Sequence, residues 1–136
     1  MNSRCEDYIK KLIDMSSYFQ FEEKMLPNNI SIESLKNGFN FLSPEMLLLH
    51  GSYVSGKKFS NKKNSDLDVI CVSHKAAFFP LKQLYEKLDS NFQKEKIIID
   101  ASIITCNELS SLTKCKTSLS VSLSHGFSIL YYEGIK

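Results

Sequence analysis

Short apolar runs alternate with polar segments along the chain, and their lengths and spacing predict both strands and helices. Met46 to His50 is a continuous apolar run that ends in Gly-Ser, which is typical of a buried strand. β-branched and aromatic content predicts further strands over 67–72, 96–105 and 127–132. Apolar residues at helical spacing predict helices over 3–18, 32–42, 80–92 and 107–115, with Ser31 capping the second and Asn107 opening the fourth.

The order of these elements predicts an α+β fold with one mixed sheet of about four strands flanked by helices. The segment that joins the first two strands is polar and rich in lysine, and it is too short for a crossover helix. We therefore expect those two strands to be antiparallel. On the second strand, Leu67, Val69 and Cys71 should share one face, and Asp66, Asp68 and Ile70 the other.

Composition narrows the class of protein. The chain has 136 residues, of which 43% are hydrophobic and 24% charged, as expected for one globular domain. A net charge of +2 does not indicate a nucleic-acid partner. The four cysteines form no Cys-x-x-Cys pair and the three histidines are not clustered with them, so neither zinc nor a disulfide framework is expected. With no signal peptide and no apolar run of about 18 residues, we expect a cytoplasmic protein without a membrane span.

Three aspartates are the candidate chemical groups. Asp66 and Asp68 are separated by one residue on a predicted strand, so their carboxylates should point to the same face. Asp100 is embedded in the apolar third strand, where a lone carboxylate is costly unless it is paired or bound to metal. If the second and third strands are neighbours, the three carboxylates can surround two Mg²⁺ ions, because hard divalent ions prefer oxygen ligands.

A turn before these aspartates is a candidate phosphate site. Gly51 and Ser52 follow the first strand and offer backbone N–H groups and a hydroxyl to a phosphate. Four lysines, among them Lys57 and Lys58, lie between this turn and Asp66. They either bind a triphosphate or form a solvated loop, and the sequence leaves both interpretations open.

Gly-Ser, a loop, Asp-x-Asp and a later strand aspartate together resemble the nucleotidyltransferase superfamily related to DNA polymerase beta. The greatest similarity is to its minimal members, the MNT type, which pair with HEPN-domain toxins. The resemblance runs from Leu47 to Asp100 and extends more weakly to Gly126–Tyr132. The arginine that commonly follows Gly-Ser is replaced by Tyr53. The resemblance implies a single nucleotidyltransferase domain over 1–136, with N-terminal helices over 1–43 and a catalytic core over 45–133.

The resemblance also implies an activity and a partner. It predicts transfer of a nucleoside monophosphate, AMP from ATP by default, onto a hydroxyl, with two Mg²⁺ ions as cofactors. Gly51 and Ser52 match the phosphate-binding pair, Asp66 and Asp68 match the metal-binding carboxylates, and Asp100 matches a base or third metal ligand. The expected partner is a helical, HEPN-type toxin whose hydroxyl is the acceptor, in a toxin–antitoxin pair. A small-molecule acceptor of the aminoglycoside type is the alternative within the enzyme class.

Two other interpretations compete with this one. Gly51 to Lys57 spells Gly-x-x-x-x-Gly-Lys, but Lys58 stands where a P-loop needs Ser or Thr, and the following residues are a poor helix start. The chain could also be an inactive scaffold that masks a partner by binding it. Of the histidines, His50 and His125 are expected to be structural and His74 to be exposed.

Overall fold

A computed structural model describes residues 7, 10, 14, 30–51, 67–75, 80–94, 98–112 and 127–132. Within these ranges the helices are α1 (Ile32–Phe39), α2 (Leu81–Asn91) and α3 (Cys106–Leu112), and a 3₁₀ turn over Asn40–Leu42 follows α1. The strands are β1 (Met46–His50), β2 (Leu67–Val72), β3 (Ile99–Ile104) and β4 (Phe127–Tyr132). In the predicted helix over 3–18, the three described residues are helical and exposed.

The four strands form one mixed sheet in the order β3-β2-β1-β4, which confirms the predicted α+β class. β1 is antiparallel to β2, as the short polar connection predicted, and also to β4. β2 and β3 are parallel neighbours, joined through α2. The pairing of β1 with β4 shifts register between Leu47 and Leu48, a local irregularity that no sequence pattern indicated.

Helices cover both faces of this sheet because alternate strand residues point in opposite directions. On one face Leu67, Val69 and Cys71 pack with α1 and α2 in a cluster of fully or nearly buried side chains. On the other face Ile70 and Val72 pack with the apolar residues of α3. The assignment of odd and even β2 residues to opposite faces is therefore confirmed, and Asp68 belongs to the α3 face.

Helix α1 begins at the predicted cap and is tied closely to α2. The Ser31 hydroxyl accepts a hydrogen bond from the Ser34 N–H at 3.1 Å. Gly38 lies directly against the Phe92 ring, and the Asn91 side-chain amide donates to the Gly38 carbonyl at 2.8 Å. A side chain at position 38 would collide with that ring, so this glycine is required by close packing of the two helices.

Helix α3 begins one residue earlier than predicted, and Asn107 is not its cap. The Thr105 hydroxyl accepts from the Glu108 N–H at 3.3 Å, and a Glu108 carboxylate oxygen accepts from the Thr105 N–H at 3.0 Å. This reciprocal pair is a capping box, which satisfies two backbone donors at once. The Thr-x-x-Glu spacing of this capping box is visible in the sequence, whereas the prediction placed the start of the helix at Asn107.

Cys106 is in a disulfide, whose other cysteine lies outside the described residues. The sequence, which suggested no disulfide framework, did not indicate this bond. Cys71 is a free, buried thiol. In the described part of the chain, no helix has the length and apolar character needed to cross a membrane.

Candidate functional site

Asp68 is held at one end of the sheet by the burial of its neighbours. Leu67 and Val69 are completely buried on the α1–α2 face, and they fix the strand so that Asp68 points to the opposite face. Its side chain is half-buried. Asp68 therefore combines a rigid backbone with partial access to solvent, as a residue that binds a ligand requires.

Asp100 lies directly beside Asp68 on the neighbouring strand. The parallel register pairs Asp68 with Asp100 and Val69 with Ala101. Because paired residues on adjacent strands project to the same face, the two carboxylates share one end of the α3 face. Asp100 is exposed, and β3 lies at one edge of the sheet that the described residues form. The sequence placed these carboxylates together only on the condition that β2 and β3 are neighbours, and the structure meets that condition.

His50 is the third member of this row across the sheet. The antiparallel register pairs His50 of β1 with Asp68, so β3, β2 and β1 contribute Asp100, Asp68 and His50 in that order. The His50 side chain is only 6% exposed. Burial lowers the pKa of His50, and the negative charge of Asp100 partly opposes that shift by favouring the protonated ring. We call Asp100, Asp68 and His50 the polar row.

Sequence reasoning treated His50 as structural and did not connect it with the aspartates. The register shows that it is level with them, and its interaction with the Asp100 charge shows that it belongs to the same electrostatic environment. A signal was present in the sequence: His50 is the single polar residue in an otherwise apolar strand, and it immediately precedes Gly51. His74, in contrast, has a side chain that is 64% exposed, as expected.

Gly51 follows the polar row at the end of β1 and has a specific steric reason to be glycine. Its φ of +78° lies in the left-handed region, which residues with a Cβ adopt at a cost. A Cβ at this position would lie 3.0 Å from Cγ of Asp68 and closer still to its Oδ2. The backbone at Gly51 therefore packs directly against the Asp68 carboxylate.

Several predicted site residues lie outside the described residues. They are Ser52, Lys57, Lys58 and Asp66. Within the described ranges, no group of three or more His, Cys, Asp and Glu side chains is arranged to hold a metal ion. The structure therefore brings together Asp68, Asp100 and Gly51 from the predicted set, and adds His50.

Asp68 and Asp100 place two carboxylates side by side, and carboxylate oxygens are the ligands that hard divalent cations prefer. Two adjacent carboxylates repel each other, and a divalent cation between them removes that repulsion while it gains oxygen ligands. Asp68 and Asp100 fit Mg²⁺ in donor type, and Asp66 precedes Asp68 by two positions in the sequence. The left-handed turn at Gly51 brings backbone close to the same carboxylate.

A separate pocket lies at the other end of the sheet. Its volume is about 210 Å³, and it is lined by Lys36, Asn40, Ser43, Pro44 and Tyr131. The Lys36 ammonium lies 4.8 Å from the centre of the Tyr131 ring. Met46 pairs with Tyr132 at this end of β1, whereas His50 pairs with Asp68 at the opposite end, so the pocket and the polar row are distinct.

Comparisons with known proteins identified no relative of this chain. Neither a protein-family model, nor a curated protein, nor a solved structure matches the chain.

Proposed function

We propose that this protein is a Mg²⁺-dependent nucleotidyltransferase that moves a nucleoside monophosphate, AMP from ATP by default, onto a hydroxyl group. The observation that carries the proposal is the pairing of Asp68 with Asp100 on neighbouring parallel strands, with Gly51 packed against Asp68. The sequence order of a Gly-Ser turn, an Asp-x-Asp and a later strand aspartate supports the same assignment.

In the proposed reaction, the acceptor oxygen forms a bond to the α-phosphorus of the triphosphate. The bond from that phosphorus to the oxygen bridging the α- and β-phosphates breaks, and pyrophosphate leaves. Asp100 takes the proton of the acceptor hydroxyl, and its exposure at the sheet edge leaves it accessible to an acceptor. Mg²⁺, when bound by Asp66, Asp68 and Asp100, supplies charge stabilisation for the triphosphate and the leaving group.

The Gly-Ser turn has a complementary role. The backbone N–H groups of Gly51 and Ser52 donate to the β- and γ-phosphates, with Lys57 and Lys58 as further cationic groups. Glycine at position 51 allows this backbone to approach the carboxylate that holds the metal, because any side chain there meets Asp68. Positioning of the reacting groups and stabilisation of charge then provide most of the rate enhancement.

We further propose that the acceptor is a side-chain hydroxyl of a helical partner protein of the HEPN type, so that the chain acts as the antitoxin of a toxin–antitoxin pair. The resemblance of the Gly-Ser, Asp-x-Asp and strand-aspartate pattern to minimal nucleotidyltransferases, which pair with HEPN-domain toxins, supports this choice. An aminoglycoside-type acceptor is the competing outcome of the experiment below.

The experiment is transfer of label from ATP carrying ³²P at either the α- or the γ-position, with a helical HEPN-type protein, or an aminoglycoside, as acceptor. We expect label from the α-position alone, dependent on Mg²⁺, on the protein acceptor. Asp68→Asn should lower the rate by about 10²–10³-fold, the loss typical of removing one electrostatic group from a transition state. The matched control is Asp89→Asn, which removes an exposed carboxylate from α2 and should leave the rate unchanged.

Three other outcomes of the labelling experiment would contradict the proposal. Label from the γ-position would identify a kinase and contradict the proposal. Activity of Asp68→Asn within tenfold of the unmodified protein would show that the polar row is not the reaction centre. No transfer, with neutralisation of the partner intact in Asp68→Asn, would identify a masking scaffold without catalysis.

A further inference from the structure

The polar row contains one group to which the proposed reaction assigns no task. His50 is buried on β1 beside Asp68, whereas the residues before it, Leu47 to Leu49, are all apolar and completely buried. Burying a polar ring in such a strand costs free energy unless the ring makes a specific interaction. A leucine at position 50 would continue the apolar run and avoid this cost, so the histidine calls for a reason.

The geometry supplies that reason. On the β3 side, Asp68 is flanked by the like charge of Asp100, and on the β1 side by His50. The negative charge of Asp100 acts on the imidazole from two strands away, and Asp68 lies between them in the sheet. Gly51, next to His50, packs against the same Asp68 carboxylate. Two consecutive positions at the end of β1, His50 and Gly51, therefore lie next to Asp68.

We propose that His50 is a positioning residue that orients the Asp68 carboxylate from the β1 side and thereby sets the affinity of the polar row for divalent cations. This inference rests on the proposed function, because it assumes that Asp68 binds a cation. His50 acts through Asp68 and need not touch the nucleotide. Partners of metal-binding groups commonly have this role, and their loss weakens metal binding by about 10- to 100-fold.

The test is calorimetric titration of the protein with MnCl₂, without nucleotide or acceptor. We expect Asp68→Asn to abolish Mn²⁺ binding, and His50→Leu to weaken it by about 10- to 100-fold. His50→Asn and His50→Gln place an amide near the positions of Nδ1 and Nε2 respectively. One of these two variants should recover an affinity within about threefold of the original, because an amide can replace one hydrogen bond of the imidazole.

A matched control separates positioning from packing. Ile70→Val removes one buried methylene from β2 on the same face, two residues beyond Asp68. It should lower the melting temperature and leave Mn²⁺ affinity unchanged. His50→Leu should do the opposite: it should weaken Mn²⁺ binding with an unchanged or higher melting temperature in the absence of metal, because it removes a buried polar group.

Four results would overturn the inference. His50→Leu could bind Mn²⁺ as tightly as the unmodified protein. The Leu, Asn and Gln variants could lose affinity equally, together with a fall in melting temperature, which a packing role explains. Ile70→Val could lose as much affinity as His50→Leu. If the unmodified protein does not bind Mn²⁺, both the proposed function and the inference are wrong. If His50→Leu binds Mn²⁺ normally while Asp68→Asn does not, the inference alone is wrong.

Discussion

Replacing Gly51 by alanine tests whether the backbone after β1 is in close steric contact with the Asp68 carboxylate. Alanine at a φ of +78° costs roughly 1–2 kcal/mol of backbone strain. Its Cβ would also lie 3.0 Å from Asp68 Cγ, and overpacking of this kind costs about 1–3 kcal/mol unless the carboxylate moves. We therefore expect Gly51→Ala to lower the free energy of unfolding by roughly 2–5 kcal/mol, and to displace the Asp68 side chain.

Urea denaturation followed by circular dichroism measures the first effect, and a double-mutant cycle isolates the second. In an Asp68→Ala background the colliding carboxylate is absent, so Gly51→Ala should cost only the backbone strain. The coupling free energy between positions 51 and 68 should then be about 1 kcal/mol or more. Gly38→Ala is the matched control: its Cβ meets the Phe92 ring, so it should destabilise the fold without coupling to Asp68.

Two results would refute this reasoning. Additive effects of Gly51→Ala and Asp68→Ala would show that the turn does not press on the carboxylate. A Gly51→Ala protein as stable as the original would show that neither the left-handed conformation nor the close approach exists in solution.

Three further predictions concern the fold. Burial raises the pKa of the Cys71 thiol from 9.0 to about 12, so the unfolded chain loses this proton first as the pH rises. The free energy of unfolding should then fall by about 1.4 kcal/mol per pH unit between about pH 9 and 12, relative to Cys71→Ala, in denaturant titrations. Thr105→Ala removes the capping box with Glu108, and should destabilise the protein by about 1 kcal/mol in the same assay. Tyr85→Phe removes the hydroxyl that donates to the Ala101 carbonyl at 2.9 Å, and should cost about 1 kcal/mol. Because β3 is an edge strand, that variant should also self-associate more in sedimentation velocity.

Local patterns in the sequence were sufficient to predict the individual elements. The predicted first strand ends at His50, as β1 does in the structure. Because β1 is buried on both faces, it reads as a continuous apolar run up to that residue. Alternation along β2 placed Asp68 opposite Leu67 and Val69, since side chains alternate strictly on a strand. β3 is shorter than predicted: Ile98 precedes the strand and is 68% exposed, although its side chain is as apolar as those that follow.

The arrangement of the elements was harder to predict because it depends on distant contacts. The level pairing of Asp68 with Asp100 follows from the register of two parallel strands separated by a helix, which no local pattern determines. For the same reason the position of His50 beside Asp68 was missed, although the antiparallel connection of β1 and β2 was predicted correctly. The choice of Asn107 over Thr105 as a cap was a different error, since both residue types are good caps and only the reciprocal Glu108 distinguishes them.

The central claim, that the polar row binds a divalent cation, is tested most directly by paramagnetic broadening. Amide NMR signals would be recorded during a titration of the protein with Mn²⁺, and again for Asp68→Asn. We predict that signals from residues next to Asp68 and Asp100 broaden first: those of Val69 and Ala101 in the sheet, and that of Gly51, which packs against Asp68. Val72 and Ile104 lie further along β2 and β3, roughly 13 Å away at about 3.3 Å per residue, so their signals should broaden only at higher Mn²⁺ concentrations. Asp68→Asn should abolish this order of broadening. Uniform broadening, or broadening centred elsewhere in the chain, would contradict the account.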